Sequence, residues 1–347
     1  PQLEEGTTAS SFVANTTGSP KFTGISATYA ARVPMILVEP SATNLVTYSE
    51  DFSQSSWDKQ SGGTGVAPAI TSNDTIAPDG TQSADKVVFN KGAADDPSNY
   101  SILSDAFPSQ QNTASLFIKA DTNQRIVIRN SNSWVAYDVT TEWTRIEQTD
   151  TGGSLQIGLR DGYGIPNVPD TANVYLWGAQ VEAGSVATSY IPTSGGDAAA
   201  RTRAADQLSL STSVTSSFFS STGGGTFYAE FVPRDVLSEQ WYLLAGQEYN
   251  RRFMYTNVNN TLLRAFDGTN TRTFGAAMVV NQLNRAAFTY TATTQEGSSD
   301  GATVPAVSHN GNYLTTTRLY LSDPDGGRQM NGHLKRLLFW PTHSSRL

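Results

Sequence analysis

The chain has 347 residues, of which 16% are charged and 38% hydrophobic, and its formal net charge at pH 7 is −8. This acidic balance argues against nucleic acid as the main partner, because neutralising phosphates requires a basic surface. The sequence contains no cysteine, which excludes disulfides and thiolate metal sites. No apolar run reaches the length that crosses a bilayer, so we expect no membrane insertion.

Residues 1–48 have the composition of an extended arm. Small polar residues alternate with turn formers at the start, and such a sequence buries little by itself. The apolar run Ile36–Val38 lies between Pro34 and Pro40, which disfavour a central strand. Because these apolar side chains cannot be buried locally, we expect the arm to pack against a second subunit or another protein of the same assembly.

Residues 49–193 are predicted to form a series of short strands. Apolar and polar side chains alternate within each segment, and clusters of Gly, Asn, Asp and Pro separate the segments. Many short strands at this spacing predict a β-sandwich and not a βαβ sheet. The predicted strands are Ala84–Phe89, Ser115–Ala120, Arg125–Arg129, Ser133–Val139, Trp143–Gln148, Ser154–Leu159 and Asn173–Glu182.

The strand pattern breaks at residues 194–206, which are rich in Gly and Ala, and we interpret this segment as a linker. A second series of strands follows in residues 207–347, where the Asn-Gly pair at 310–311 favours a tight hairpin turn. The predicted fold class is therefore all-β, with two tandem jelly-roll β-sandwiches behind an extended N-terminal arm. The strands predicted in the second domain are Trp241–Ala245, Arg251–Thr256, Thr261–Phe266, Arg285–Thr291, Ala302–His309, Thr317–Ser322 and Gly332–Pro341.

Two stretches of the first domain resemble known proteins. Ile36–Lys59 carries the spaced residues Asn44, Asp51 and Trp57, and Val174–Gly196 contains an apolar strand with an acidic residue. Together they resemble the opening and closing strands of a carbohydrate-binding-module-like jelly roll that recurs in phage tail fibres, head fibres and particle spikes. The second domain resembles a concanavalin-like or laminin-G-like jelly roll, as found at the ends of phage fibres.

The resemblance implies a non-enzymatic adhesion or structural protein of a virion, namely a tail-fibre, head-fibre or spike subunit on the particle surface, outside the cell. It implies a homo-oligomer, with a trimer as the first expectation. The arm would bind other virion proteins, and the sandwiches would recognise a bacterial surface polysaccharide. Two alternatives stay open. One is an accessory carbohydrate-binding module of a larger carbohydrate-active enzyme, and the other is a purely architectural capsid or tail decoration protein.

Catalytic motifs are absent from the sequence. The three histidines, His309, His333 and His343, all lie near the C-terminus, and no H-E-x-x-H, G-x-S-x-G or Walker pattern is present. We therefore expect neither enzymatic activity nor a cofactor.

A structural calcium ion is the one metal that the resemblance implies. Relatives often hold it with acidic residues of the first and last strands, and here the matching residues are Glu50, Asp51 and Glu182. Their spacing is not that of a calcium-binding loop, and surface carboxylates are the alternative interpretation.

Periodicity predicts a ligand-binding face on the first sandwich. In Ser133–Val139 the alternation of side chains separates Trp134 and Asp138 from the apolar Val135 and Val139. Aromatic rings stack on the C–H faces of sugars and planar polar groups bind their hydroxyls, although an oligomer interface uses such residues too. The candidate carbohydrate-binding residues of this face are Phe117, Arg125, Arg129, Trp134, Asp138 and Arg160.

A second candidate site lies around a predicted hairpin loop of the second domain, because loops at the end of a sandwich commonly carry binding residues. A packed loop or a subunit contact is the alternative. The candidate residues are Trp241, Tyr242, Tyr249 and Arg251. By contrast, Trp57, Trp143 and Trp177 fall in the strand stretches that resemble the family, and we predict that they are core or core-edge rings.

Overall fold

The computed structural model describes residues 35–93, 96–193, 200–219, 224–235, 241–246, 252–256, 261–309, 316, 318–323 and 327–343. They divide into two compact units: residues 42–203 form the N-terminal sandwich, and residues 35–41 with 204–343 form the C-terminal sandwich. Strands dominate both units, which confirms the predicted all-β fold class. In the described part of the chain, no helix is long and apolar enough to span a membrane.

Strand numbers follow chain order. The strands before the only helix of the described residues are β1 (Ile36–Val38), β2 (Ala42–Asn44), β3 (Asp58–Gly62), β4 (Val66–Thr75), β5 (Ala84–Asn90), β6 (Tyr100–Lys119), β7 (Gln124–Asn130), β8 (Ser133–Val139), β9 (Thr144–Arg160), β10 (Thr171–Ala183) and β11 (Arg201–Arg203). The helix α1 (Thr212–Phe219) precedes β12 (Gly225–Pro233), β13 (Tyr242–Gly246), β14 (Arg252–Tyr255), β15 (Leu262–Phe266), β16 (Thr271–Ala277), β17 (Asn284–Tyr290), β18 (Thr294–Ser299), β19 (Ala302–Thr303), β20 (Val307–Ser308), β21 (Leu319–Tyr320) and β22 (Gly332–Trp340).

The N-terminal sandwich is built from one folded sheet in the order β4-β5-β10-β6-β9-β7-β8, with β3 beside β6. The long strands β6 and β9 pair along most of their length, with an interruption between Ala106 and Gln110. Strands β3 and β7 pair on one side of this interruption and β10 on the other. The two long strands therefore run through both layers. The front layer also contains β3, β7 and β8, and the back layer contains β4, β5 and β10.

The facing sides of these layers share one apolar core. Leu116 of the back layer and Ile128 and Ile157 of the front layer belong to the same buried cluster as Trp57, which is fully buried. Trp177 is buried in a second cluster, and Trp143 packs against that cluster. The structure thus confirms that these three tryptophans are core or core-edge rings.

Hydrogen bonds attach strand β2 to the N-terminal sandwich. It pairs with β11, and the Asn44 Nδ2 group donates hydrogen bonds to the carbonyls of Ala179 (3.1 Å) and Ile191 (2.9 Å). Residues 42–44 and 201–203 are therefore part of this sandwich, although the sequence places them in the arm and in the linker. The strand pair satisfies backbone groups that two isolated extended segments would leave to solvent.

The C-terminal sandwich contains two sheets. The first has the order β1-β22-β12-β17-β18-β19, with β20 beside β18, and the second has the order β16-β15-β14-β13-β21. Their facing sides share a buried cluster rich in phenylalanine. In this cluster the ring centroids of Phe227 and Phe253 lie 5.1 Å apart, and the rings of Phe274 and Phe288 stack with an interplanar angle of 6°.

Strand β1 is an edge strand of the C-terminal sandwich. It pairs with residues 332–334 of β22, and Val38 is 1% exposed while Ile36 is 40% exposed. Part of the predicted arm is thus a strand, and the apolar run Ile36–Val38 finds its partner within the chain. These residues therefore do not require a second subunit. The predicted arm residues 1–34 lie outside the described residues.

Candidate functional site

Side chains from four strands share the outer face of the front layer. Arg129 of β7 lies opposite Trp134 of β8 and also opposite Gln156 of β9. Further along β9, Arg160 lies opposite Tyr100 of β6. Residues that face each other across a sheet point to the same side, as do residues an even number apart on one strand. These five side chains therefore share the outer side of the front layer, where Trp134 is half-buried and also packs against the core cluster.

A continuous band of guanidinium groups and aromatic rings crosses this face. The guanidinium carbon of Arg129 lies 5.9 Å from the centre of the Trp134 ring, and the Trp134 and Tyr163 ring centroids are 5.7 Å apart. The guanidinium carbon of Arg160 lies 5.2 Å from the Tyr163 ring and 4.9 Å from the Tyr100 ring. We call Tyr100, Arg129, Trp134, Arg160 and Tyr163 the arginine–aromatic band. The cation–π contacts along it hold each group against its neighbour.

Tyr163 is presented by the loop between β9 and β10. It is 61% exposed, and its φ angle of 56° lies in the left-handed region. The flanking Gly162 and Gly164 have φ angles of 92° and 73°. A left-handed conformation costs a residue other than glycine about 1–2 kcal/mol, and such strain clusters at functional sites. The turn therefore holds an exposed aromatic ring in a strained backbone conformation.

Lys91 holds both ends of this loop. Its fully buried ammonium group lies 2.7 Å from the Asp161 carboxylate and 3.1 Å from the Asp170 carboxylate, and its backbone N–H donates to the Asp170 carbonyl at 2.9 Å. Burial by itself lowers the pKa of Lys91, but the hydrogen bonds to the two carboxylates outweigh it, so the pKa is raised. The ammonium group therefore stays charged, and the loop that carries Tyr163 is anchored at both ends.

The arginines on this face differ in whether they pair with a carboxylate. Arg125 lies beside the band and forms a two-point ion pair with Asp138, with Nε–Oδ1 and Nη2–Oδ2 distances of 2.7 and 2.9 Å. The hydrogen bonds of this pair lower the pKa of Asp138 and raise that of Arg125. Arg129 and Arg160 make no ion pair within the described residues, and Arg129 donates from Nη1 to the Gln156 Oε1 atom at 3.4 Å. The band thus carries two guanidinium groups that no carboxylate of the described residues contacts.

Phe117 lies apart from the band. It belongs to the back-layer half of β6, is 6% exposed, and its ring centroid lies 5.5 Å from that of Trp177. The Arg145 guanidinium carbon lies 5.7 Å from the same ring. Alternation correctly turns Phe117 away from the core side of β6, but Trp177 and its neighbours cover that side. Phe117 is therefore a packing residue and not part of the exposed face on which the sequence placed it.

The second candidate site differs from its prediction as well. Trp241 and Tyr242 are 4% and 1% exposed, and the Trp241 ring centroid lies 6.1 Å from that of Phe231. Tyr242 accepts a hydrogen bond at its hydroxyl oxygen from Arg328 Nη1, at 2.9 Å. Both residues are packed in the C-terminal sandwich, which agrees with the alternative interpretation. Tyr249 and Arg251 lie outside the described residues.

The three carboxylates considered for calcium serve separate hydrogen-bond sets. Glu50 accepts from the Tyr190 hydroxyl at 2.8 Å, and Asp51 accepts from groups of the turn that follows it. Glu182 is buried and accepts from the N–H and hydroxyl of Thr188 at 2.7 and 2.6 Å, and burial raises its pKa. Among the residues that the structure describes, no group of three acidic, His or Cys side chains is placed to hold a metal ion.

Tyr100 and Tyr163 are not among the binding residues predicted from the sequence. Tyr163 stands between two glycines directly after a strand, and an aromatic residue in such a turn is a signal of a presented ring. Tyr100 is the first residue of β6. The sequence predicts no strand in the first half of β6, because the alternation of apolar and polar residues indicates a strand only from Ser115 onwards. Both residues enter the band through tertiary contacts.

The comparisons with known proteins assign no family. No protein-family model matches the sequence, and no curated protein matches it. The fold is similar to Trypanosoma rangeli sialidase at 10% identity and a TM-score of 0.29, covering 36% of this chain and 21% of the sialidase. The chain therefore spans about a fifth of that protein's length.

Two further solved structures resemble larger parts of the chain. The tandem CBM22-1–CBM22-2 domain from Paenibacillus barcinonensis Xyn10C is 10% identical with a TM-score of 0.25, covering 91% of this chain and 100% of that domain. The tail fibre protein gp63.1 of an E. coli phage is 12% identical with a TM-score of 0.24, covering 90% of this chain and 41% of the fibre protein. TM-scores this low assign no function to the chain.

Proposed function

We propose that the chain is a non-enzymatic adhesion protein whose N-terminal sandwich binds a glycan through the arginine–aromatic band. The observation that carries this proposal is the pairing of the Trp134 ring with the exposed Tyr163 ring, 5.7 Å away. Two rings on an open sheet face offer flat apolar surfaces to the C–H faces of sugars. Arg129, Arg160 and Gln156 supply planar polar groups for the hydroxyls around them.

The setting that we propose is the surface of a phage or phage-derived particle, as a tail-fibre, head-fibre or spike subunit. The support is the sequence resemblance of Ile36–Lys59 and Val174–Gly196. In a homotrimer, the first expectation, three bands would act together, and tethered sites raise avidity without any new contact. Residues 1–34 would attach the subunit to other virion proteins. Antibody-gold labelling of isolated particles should mark the particle surface. Particles without label, together with recovery of the chain only as part of a larger enzyme polypeptide, would contradict this setting.

An array of immobilised bacterial capsular and secreted polysaccharides tests the binding function. We expect the full chain to bind at least one polymer, and Trp134→Ala or Tyr163→Ala to weaken this binding by about 1–2 kcal/mol, as expected for losing one stacked ring. Trp340→Ala is the matched control, because Trp340 is 46% exposed and belongs to the other sandwich. This variant should bind as the wild type does.

Two results of the array contradict the glycan-binding proposal. The first is that the wild type binds none of the polymers. The second is that Trp134→Ala and Tyr163→Ala both bind as tightly as the wild type. Either result favours the architectural alternative, in which the exposed face of the front layer contacts another subunit.

A further inference from the structure

The charge of the band contrasts with that of the whole chain. The chain has 31 acidic and 23 basic residues, so a half-buried cation would be expected to find a carboxylate within the fold. Elsewhere in the N-terminal sandwich, Lys91, Arg125 and Arg145 each lie against at least one carboxylate. Arg129 and Arg160 differ from Arg125, the third arginine of this face, because neither makes an ion pair with a described residue. Like Lys86 and Lys119, they lie against aromatic rings instead.

The hydrogen-bonding groups of these two arginines are also under-used. The Nε atom of each is buried and has no hydrogen-bond partner within the described part of the chain, so the Nη groups are the donors that a ligand could reach. The contact from Arg129 Nη1 to Gln156 Oε1, at 3.4 Å, is long for a hydrogen bond. The two Nη groups of a guanidinium have the geometry to bind a carboxylate end-on through two parallel hydrogen bonds.

Neighbouring rings fix the orientation of both guanidinium groups before any ligand binds. Arg129 lies against Trp134, and Arg160 lies between Tyr163 and Tyr100. Arg160 also lies four positions beyond Gln156, the residue opposite Arg129, so the two arginines are separated along the sheet by about 13 Å at 3.3 Å per residue. The Trp134 and Tyr163 rings connect them. An extended ligand with spaced negative charges and apolar sugar faces fits this order of groups.

From this arrangement we infer that the ligand of the band is a carboxylate-bearing polysaccharide. Its carboxylates bind to Arg129 and Arg160, and its sugar rings stack on Trp134 and Tyr163. The inference rests on the proposed glycan-binding function and names the chemical class of the glycan. It also explains why an acidic protein keeps two cations unpaired on one face: their counter-charge is supplied by the ligand.

The test uses the full chain and a panel of polymers measured by titration calorimetry. The acidic polymers are polygalacturonate, alginate and hyaluronate. The other polymers are neutral dextran and xylan, and dextran sulfate. Each acidic polymer is also used after its carboxylates have been reduced to alcohols, which removes the charge and keeps the sugar backbone. We expect an acidic polymer to bind, its reduced form to bind at least tenfold more weakly, and added salt to weaken the interaction.

Three variants separate the two arginines from their surroundings. Arg129→Gln and Arg160→Gln should each lower the affinity for the acidic polymer at least tenfold. Arg285→Gln is the matched control, since Arg285 belongs to the C-terminal sandwich and is already paired with Glu230, and it should change the affinity less than twofold. Thermal melting of each variant verifies that the sandwich stays folded.

The outcomes distinguish this inference from the proposed function. Binding of only a neutral or a sulfated polymer, lost in Trp134→Ala, would overturn the carboxylate assignment and leave glycan binding in place. Equal binding of an acidic polymer and its reduced form would overturn the assignment too. If no acidic polymer of the panel binds, the carboxylate assignment is overturned, while the proposed function still stands or falls on the array of bacterial polysaccharides. If binding survives in both Trp134→Ala and Tyr163→Ala, the inference and the proposed function fail together.

Discussion

The indole ring of Trp134 and the phenol ring of Tyr163 lie 5.7 Å apart, with their planes inclined by 30°. Trp134 belongs to strand β8, and Tyr163 belongs to the loop between β9 and β10. The strand supplies a half-buried ring that packs against the core, and the loop supplies an exposed ring in a strained conformation. A ligand that touches both rings therefore depends on the strand and on the loop together.

A double-mutant cycle between these two residues should show coupling. We expect the losses of binding free energy in Trp134→Ala and Tyr163→Ala to be non-additive by about 0.5–1 kcal/mol, because each ring supports the orientation of the other. Titration calorimetry of the single and double variants with a bound polysaccharide measures this term. Strictly additive losses would show that the rings act independently, and would remove the pair as the basis of the site.

Replacing Tyr163 with glycine should separate binding from stability. Glycine adopts the left-handed conformation at no steric cost, whereas alanine keeps the cost of about 1 kcal/mol that a Cβ atom brings. We therefore expect Tyr163→Gly to be at least as stable as Tyr163→Ala in urea unfolding, while both variants bind the glycan more weakly than the wild type does. A Tyr163→Gly variant that is clearly less stable than Tyr163→Ala would mean that the backbone at this position is not strained.

Removing the Lys91 side-chain charge should destabilise the N-terminal sandwich. Lys91→Met leaves the Asp161 carboxylate, whose side chain is 12% exposed, without its cation, and breaking a buried pair in this way costs about 3 kcal/mol. Adding Asp161→Asn to this variant should recover part of the loss, because no unpaired charge remains at position 161. Chemical denaturation measures both effects.

Lys86→Met is the control for this experiment. The Lys86 ammonium lies 5.6 Å from the centre of the Tyr175 ring on a half-exposed part of the sheet, so its removal should cost less than about 1 kcal/mol. The role assigned to Lys91 requires that Lys91→Met also weakens glycan binding more than Lys86→Met does, since it frees the loop that carries Tyr163. Equal effects of the two substitutions on stability and binding would contradict that role.

The stability of the N-terminal sandwich should depend on the ionisation of Asp105. Burial raises the pKa of Asp105 from its ordinary value of 3.8 to about 6. Between these two values the folded state binds the proton more tightly than the unfolded state does, so the contribution to stability is present below pH 4 and is lost as the pH rises through 6. Asp105→Asn removes this titration. The free energy of unfolding of the wild type relative to Asp105→Asn should therefore rise as the pH falls from 7.5 to 4.5, and a difference that stays constant would refute the raised pKa.

Strands whose own residues alternate were predictable from the sequence. The predicted segments Arg125–Arg129 and Ser133–Val139 correspond closely to β7 and β8, because successive side chains of a strand point to opposite faces whatever its partners are. The same rule places Arg129 and Trp134 on one face. That is the part of the candidate site that the sequence determines.

Other strands exist only because of their partners. Residues 294–299 contain no large apolar side chain, yet they form β18, since they pair with β17 in the C-terminal sandwich. Residues 66–75 form β4 beside β5, with most of their side chains exposed. Ile36–Val38 likewise becomes a strand by pairing with β22. Hydrogen bonds to a partner strand decide these cases, and the periodicity of the segment itself does not show them.

The sequence by itself determined that this protein is all-β and that some of its strands carry arginine and aromatic side chains opposite their apolar side. Only the tertiary structure decided which of those polar sides stays open. Phe117 and Trp134 both lie on the outer side of their strands, but the Trp177 cluster buries Phe117, while Trp134 stays half-exposed and receives Tyr163 from a loop. Burial of a sheet face depends on what packs over it from elsewhere in the chain, and the alternation within one strand holds no information about that covering.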